Sequence, residues 1–183
     1  MSEAPLVVVV TGSECTGKTT LAGELAEHFC APSSPEFVRT YLDRKATPLD
    51  ATDVEAIARG QIRVEDEAAA AASRLVVKDT DLVSTVVYSR HYYGVCPAWI
   101  EQAARQREGH LYLLLHPDVP WSPDGLQRDR PAQRAHLHDL FRRELDSLGV
   151  KVVDIRGTWE ERRRAAVVAV QNELQGAQGI PAR

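Results

Sequence analysis

The feature that most constrains this chain is an apolar, β-branched run, Leu6–Val10, that leads almost directly into Gly12-Ser13-Glu14-Cys15-Thr16-Gly17-Lys18-Thr19, with Thr20 following. A continuous apolar run of this kind marks a strand buried on both faces. The octet fits G-x-x-x-x-G-K-[ST] at every fixed position. Each fixed residue has a physical task. The glycines let the backbone turn so that its N–H groups point at phosphate oxygens. A helix opening near Lys18 adds the positive end of its dipole. Lys18 brings a point charge to the β- and γ-phosphates. The Thr19 hydroxyl suits magnesium, a hard cation that binds between phosphates. Gly12 to Thr20 are therefore the expected contacts of ATP, with Thr19 as a magnesium ligand.

The rest of the chain alternates short β-rich runs with longer helical ones. Lys18–Phe29 carries a helical repeat through Leu21, Ala22, Leu25 and Phe29. Glu36–Tyr41 is the expected second strand, after the turn residues Pro32–Pro35. Asp53 is expected to cap a long helix running to about Ser73. Leu75–Val77 is the third strand. Leu82–Tyr93 stays open between strand, favoured by its β-branched residues, and helix, favoured by its place in the alternation. Pro97–Gln106 reads as a helix, Leu111–Leu115 as the fourth strand, 132–148 as a helix, Val150–Ile155 as the fifth strand and Trp159–Leu174 as the last helix. Pro120–Pro131 is rich in turn residues and reads as an exposed loop, the centre of a lid at about 117–135. The tail Gln175–Arg183 is expected to fray. Strands separated by long crossovers must pair in parallel, with helices on both faces. The expectation is a five-stranded parallel α/β sandwich in a single domain over residues 1–183.

Composition narrows the partners. The net charge of −4 gives no broad basic surface for nucleic acid or an acidic membrane. No apolar run approaches the roughly 18 residues of a membrane span, and Leu6–Val10 lacks the basic lead-in of a signal peptide. Cys15, Cys30 and Cys96 show neither a CxxC spacing nor nearby paired histidines, which points to a reducing cytoplasm.

Among phosphate-loop proteins, a GTPase would carry an Asn/Thr-Lys-x-Asp run, and the chain has none. An energy-transducing ATPase would end an apolar strand in Asp-Glu, and neither Leu75–Val77 nor Leu111–Leu115 does. A small-molecule kinase layout remains, in which an acid at another strand end organises magnesium and a basic lid closes over the phosphates. Three constellations fit it. Asp79-Thr80-Asp81 follows the third strand, where ligand sites collect in parallel sheets. Asp79 suits magnesium and Asp81 a substrate hydroxyl, although a helix cap would use the same residues. Glu36 can accept the proton of a hydroxyl and Arg39 can clamp an anion or orient Glu36; a surface ion pair is the alternative. Arg128, Arg130 and Arg134 can bring guanidinium groups over the phosphates, or form a solvated charge run. The catalytic candidates are thus Lys18, Glu36, Asp79, Asp81, Arg128 and Arg130.

The phosphate loop, Glu36-x-x-Arg39-x-Tyr41, Asp79-Thr80-Asp81, Pro120-Trp121-x-x-Asp124-Gly125-Leu126 and Gly157-Thr158-x-x-x-Arg162 together resemble the NadR-type ribosylnicotinamide kinase domain, a NadR-like AAA ATPase family. The resemblance implies a nucleoside-monophosphate-kinase-like fold with strand order 2-3-1-4-5. It also implies ATP-dependent phosphorylation of a ribosyl 5′-hydroxyl, as on nicotinamide riboside. It adds Arg39, Tyr41 and Trp121 to Glu36 and Asp81 as acceptor-binding residues, and sets Gly157 and Thr158 beside the adenine with Arg162 covering it. Larger members carry an adenylyltransferase domain and sometimes a DNA-binding domain, so this chain resembles a stand-alone kinase domain. The chain departs from the family where an aromatic precedes the Glu of Glu-x-x-Arg: it has Pro35. Residues 51–74 also contain no aromatic. A ring-binding face would have to come from Trp99, Trp121, Tyr41, Tyr88, Tyr92 or Tyr93. A kinase for another nucleoside or small alcohol, and a nucleotide-binding regulatory ATPase with no acceptor, remain open.

Overall fold

The computed structural model describes residues 4–45, 47–121 and 131–178. Along the chain run β1 (Leu6–Thr11), α1 (Lys18–His28), β2 (Ser33–Ser34), α2 (Phe37–Lys45), α3 (Val54–Ala71), β3 (Leu75–Asp79), α4 (Leu82–Tyr93), α5 (Ala98–Gln106), β4 (Leu111–Leu115), α6 (Arg134–Leu148), β5 (Val152–Ile155) and α7 (Trp159–Gln178). The five strands pair in parallel in the order β2-β3-β1-β4-β5. Strands β1, β3 and β4 are buried almost throughout, which is why their sequences read as continuous apolar runs.

Alternation along the strands supplies two cores. Val8, Val10, Leu111, Leu113 and Leu115 face α1 and α7, meeting Leu21, Leu25, Ala166 and Val170. Val9, Tyr112 and Leu114 face the other way, toward α3, α4, α5 and α6. The register places Val10 beside Asp79 and Thr11 beside Leu114. The carboxyl ends of β1, β3 and β4 therefore finish at one level, where open parallel sheets gather their ligand sites.

Three elements depart from the sequence reading, and a fourth that it left open is settled. The expected strand Glu36–Tyr41 is the start of α2, and the second strand is only Ser33–Ser34 at the sheet edge. Phe37, Val38, Thr40 and Tyr41 have strand propensity, but Phe37 buries its ring and its N–H bonds Gln61 on α3, so tertiary packing overrides propensity. Leu82–Tyr93 resolves as helix α4. Asp81 accepts from the Val83 N–H at 3.0 Å to cap it, and Leu82, Val83, Val86 and Val87 bury one face. The capping expected of Asp53 falls instead to Asp50, which opens a short 3-10 turn, Ala51–Asp53, ahead of α3. Helix α7 continues past Leu174 to Gln178, into the tail expected to fray. Among the described residues no helix is long and apolar enough to cross a membrane.

Candidate active site

The loop between β1 and α1 is held from outside by two buried arginines. Arg134 on α6 donates to the Cys15 carbonyl at 3.1 Å and to the Val119 carbonyl at 2.9 Å. Arg162 on α7 has 0% exposure and donates to the carbonyls of Thr16 at 3.1 Å, His116 at 2.8 Å and Gly157 at 2.9 Å. It also pairs with Asp118. The C=O of one residue and the N–H of the next point in opposite directions across a trans peptide. The N–H groups of Thr16 and Gly17 therefore face away from the arginines, into the loop's concavity. Gly12, at φ +131°, lies where a Cβ would sit 2.8 Å from the Leu115 carbonyl. Gly17, at φ +89°, lies under the indole of Trp159, 2.7 Å from a Cβ position. Neither place admits a side chain without displacement. Lys18 is buried, with Nζ 2.8 Å from the Ser13 carbonyl, and the Thr16 hydroxyl donates to the same oxygen at 2.9 Å. Glu14 is buried with neither carboxylate oxygen hydrogen-bonded among the described residues. Cys15 takes a left-handed φ of 53°. Thr19 and Thr20 lie exposed in the first turn of α1.

Asp79, at the end of β3, is the electrostatic hub. Burial raises its carboxyl above the usual range and the charge of Glu36 adds to this, while a hydrogen bond from Thr19 and the charges of Lys18 and Arg39 pull it back. Those five side chains are thus neighbours, although they come from three separate stretches of sequence. Asp79 Oδ1 is buried with no hydrogen-bond partner among the described residues. The Glu36 carboxylate is 4% exposed and accepts from Arg39 Nε at 2.8 Å. Glu36 directly precedes α2, which is where the structure corrects its placement at a strand end.

From Glu36 and Thr80 a cavity of about 490 Å³ opens between α2, α3 and α4. Thr80 sits at φ 64°, a left-handed setting that is rare for a β-branched residue. Its N–H is tied to the Val10 carbonyl at 3.0 Å. At the far end Tyr88, Tyr92 and Tyr93 project from α4, with the Tyr88 and Tyr92 rings parallel and 6.0 Å apart. The ionisable acids on the described walls are Glu36, Asp43 and Asp50, and no lysine or arginine lines them.

Several sequence-based assignments do not reach this cavity. Asp81 is turned into the protein: one oxygen caps α4 and the other accepts from the Tyr112 hydroxyl at 2.7 Å. The reversal at Thr80 sends the two aspartates of the triplet to opposite sides. Tyr41 points to the outer face of α2, where its hydroxyl donates to Asp53 at 2.7 Å and its ring lines a shallow groove with Arg44, Arg59 and Arg63. Trp121 is exposed and absent from the described cavity walls, and Trp99 lies under the Arg59 guanidinium. Arg134 and Arg162, expected over the phosphates and the adenine, are instead buried ties behind the loop. Gly157 and Thr158 do sit near the loop, joined to it through Arg162, with Gly157 N–H on Asp118 at 2.9 Å and Thr158 N–H on Glu161 at 2.8 Å. Arg128, Arg130 and the Asp124-Gly125-Leu126 stretch lie outside the described residues.

Trp159, which covers Gly17 and donates to Glu24 at 3.2 Å, was passed over in the sequence. The signal was its place directly after Gly157-Thr158. The tyrosines of α4 were signalled by their helical spacing. The pairing of His116 with His138, rings 4.7 Å apart and both lowered below the ordinary imidazole value chiefly by burial, had no signal at all.

Comparison with known proteins places this arrangement. A family model described as an AAA domain matches residues 7–162. The trifunctional NAD biosynthesis/regulator protein NadR of Salmonella typhimurium is 27% identical over 177 residues, covering 94% of this chain and 43% of that protein. A crystal structure of NadR in complex with NR superposes with a TM-score of 0.80 at 26% identity, over 98% of this chain and 53% of the other. NadR in complex with NAD and AMP-PNP gives a TM-score of 0.76 at 25% identity, over 98% and 51%. The chain spans less than half the length of the curated relative and about half that of the solved structures. With most of its length under the family model, and its strand order and phosphate loop as described, the chain belongs to this AAA-domain family and over most of its own length is similar to part of the NadR proteins.

Proposed function

We propose that this chain transfers the γ-phosphoryl group of ATP to the 5′-hydroxyl of a ribonucleoside, nicotinamide riboside first among them. The observation that carries the reading is the cavity joined to the phosphate loop at Glu36 and Asp79. Its reactive end is polar and its far end is walled by tyrosines. The acids and the absence of Lys or Arg on its described walls favour a neutral or cationic acceptor over a nucleotide. A pyridinium ring against Tyr88 and Tyr92 combines charge complementarity with a π face. The likeness to NadR, whose structures hold NR and a nucleotide analogue, supports the same pairing of ligands.

In this mechanism the N–H groups of Thr16 and Gly17 and the Lys18 ammonium receive the phosphates. The Glu36 carboxylate accepts the hydroxyl proton as the oxygen bonds the γ-phosphorus and the bond to the β–γ bridging oxygen breaks, leaving ADP. Arg39 orients Glu36. Arg128 and Arg130 are proposed as lid cations, Glu14 and Ser13 as further loop contacts, and Thr158 as a neighbour of the adenine. The Thr19 hydroxyl and the unpartnered Asp79 oxygen form a hard-oxygen pair that fits magnesium, Asp79 acting through water. Magnesium supplies charge neutralisation on the phosphates. Positioning and electrostatics then carry the rate.

The test is phosphorylation of a nucleoside panel by the purified protein with ATP and magnesium, with products identified by mass. A monophosphate of nicotinamide riboside is the expected product. A different phosphorylated nucleoside replaces the acceptor, and the absence of any phosphorylated product overturns the kinase reading.

A further inference from the structure

The face that α3 turns inward carries Val54, Ala58, Gln61, Glu65 and Ala68, so two polar side chains occupy positions where an amphipathic helix places apolar ones. Gln61 is 3% exposed and Glu65 is 1% exposed. Their hydrogen bonds form an unbroken ladder. The Phe37 N–H donates to Gln61 Oε1 at 2.9 Å, Gln61 Nε2 donates to Glu65 Oε1 at 3.2 Å, and Lys78 Nζ donates to Glu65 Oε2 at 2.7 Å.

The two ends of the ladder are informative. Phe37 follows Glu36 in the chain, and Lys78 precedes Asp79. The ladder thus stops one residue short of each of two carboxylates whose charges interact beside the phosphate loop, Glu36 on the cavity wall and Asp79 next to Lys18 and Thr19. Lys78 also lies in sheet register beside Val9 of β1 and Ser34 of β2, so its end is anchored to the strand that leads into the phosphate loop. Arg107 approaches Glu65 at 3.6 Å from the rim, and the charge of Asp81 faces Lys78 from the other side. Two cations and two anions are therefore gathered under the site. An apolar pair of similar volume would join α3 to β3 as firmly as a buried ion pair. What a directional ladder adds is a fixed geometry between its ends.

We propose that Gln61, Glu65 and Lys78 are positioning residues that set the Glu36 carboxylate against the Asp79 carboxylate, and so place the acceptor hydroxyl in line with the transferred phosphoryl group. This assignment rests on the reading of Glu36 given above. Its energetic lever is placement: an error of about 1 Å in such a site costs on the order of a hundredfold in rate.

Glu65 does not line the cavity, so its loss acts through the ladder. Two variants of the full chain test it: Glu65→Leu, and Glu65→Leu combined with Lys78→Met. The second removes both charges of the pair, leaving no unpaired buried lysine to unfold the protein. Two readouts are taken, hydrogen exchange at the Phe37 amide and steady-state phosphoryl transfer. Exchange at Phe37 should quicken by about tenfold or more while global unfolding is little changed. The kcat should fall by roughly 10- to 100-fold while the KM for ATP moves by less than about twofold. Native protection of the Phe37 amide overturns the proposal, and so does a folded paired variant with native kcat. Should the unsubstituted chain phosphorylate no nucleoside, the functional reading fails, and the exchange measurement alone upholds or overturns the ladder.

Discussion

The loop Gly12–Thr19 and the cavity between α2, α3 and α4 meet at Glu36 and Asp79, yet they are made of different materials. The loop is one contiguous stretch in which the backbone carries the geometry, set by glycines and by arginines that hold its carbonyls from behind. The cavity draws Glu36, Asp50, Thr80 and Tyr92 from four separate stretches, and side chains make its walls. A backbone site tolerates few changes in shape but is indifferent to most side chains, so it can be shared by many proteins. A side-chain site can be retuned residue by residue. On the kinase reading proposed above, the reaction type therefore belongs to the loop and acceptor choice to α2, α3 and α4.

Substitutions can break that division. The largest effect belongs to Lys18→Ala, which should lower phosphoryl transfer by more than about a thousandfold for every acceptor alike, measured as product formed. Activity above about a tenth of native would remove Lys18 from the phosphate clamp. Next comes Glu36→Gln at the junction, expected to lower kcat by about 10²–10⁴-fold while a non-hydrolysable ATP analogue binds as before. A change confined to KM would make Glu36 a binding group only.

Arg162→Leu probes the loop's support from behind. It strips the carbonyls of Thr16, His116 and Gly157 of their donor and leaves Asp118 with the Gly157 N–H but no cation, so unfolding in denaturant should be easier by about 3 kcal/mol. Arg162→Lys should recover only part of this, because one ammonium cannot span the same three carbonyls. Tyr92→Ala addresses the far end of the cavity. It should raise the KM for nicotinamide riboside about tenfold and leave the KM for ATP alone, a cation–π contact being worth roughly 1–2 kcal/mol. Equal effects on both substrates would dissolve the distinction between the two regions.

The smallest effect concerns pH. His116 and His138 are held below the ordinary imidazole value chiefly by burial, with the charges of Arg156 and Arg162 adding to it at His116 and the charge of His116 adding to it at His138. The unfolded chain therefore takes up these protons first, so stability is intact above about pH 6.5 and declines as the pH falls from there toward the lowered folded values. His138→Gln should make that decline shallower in thermal unfolding between about pH 7 and 5. Because neither histidine lines the described cavity, acceptor KM should follow pH equally in both proteins.

The sequence by itself determined the loop, its strand and its helix, because those depend on contacts between residues a few positions apart. It also determined four of the five parallel strands, since buried strands and helical crossovers leave characteristic periodicities; the edge strand Ser33–Ser34 is too short to leave one, and the run taken for it begins α2. The order of those strands came from resemblance, and the register that levels Asp79 with the loop is visible only in the fold. Tertiary structure alone decided that Glu36 opens a helix, that Asp79 and not Asp81 faces the site, and that Tyr41 looks outward while Tyr88 and Tyr92 look in. In each case the local preference was weak or two-sided: a β-branched run suited strand and helix, and an Asp-Thr-Asp triplet suited a cap and a cation. Long-range partners settled them, namely Gln61 for Phe37, Tyr112 for Asp81 and Asp53 for Tyr41. A one-dimensional pattern carries no record of such pairings, because their energy arises only when segments distant in sequence are packed against one another.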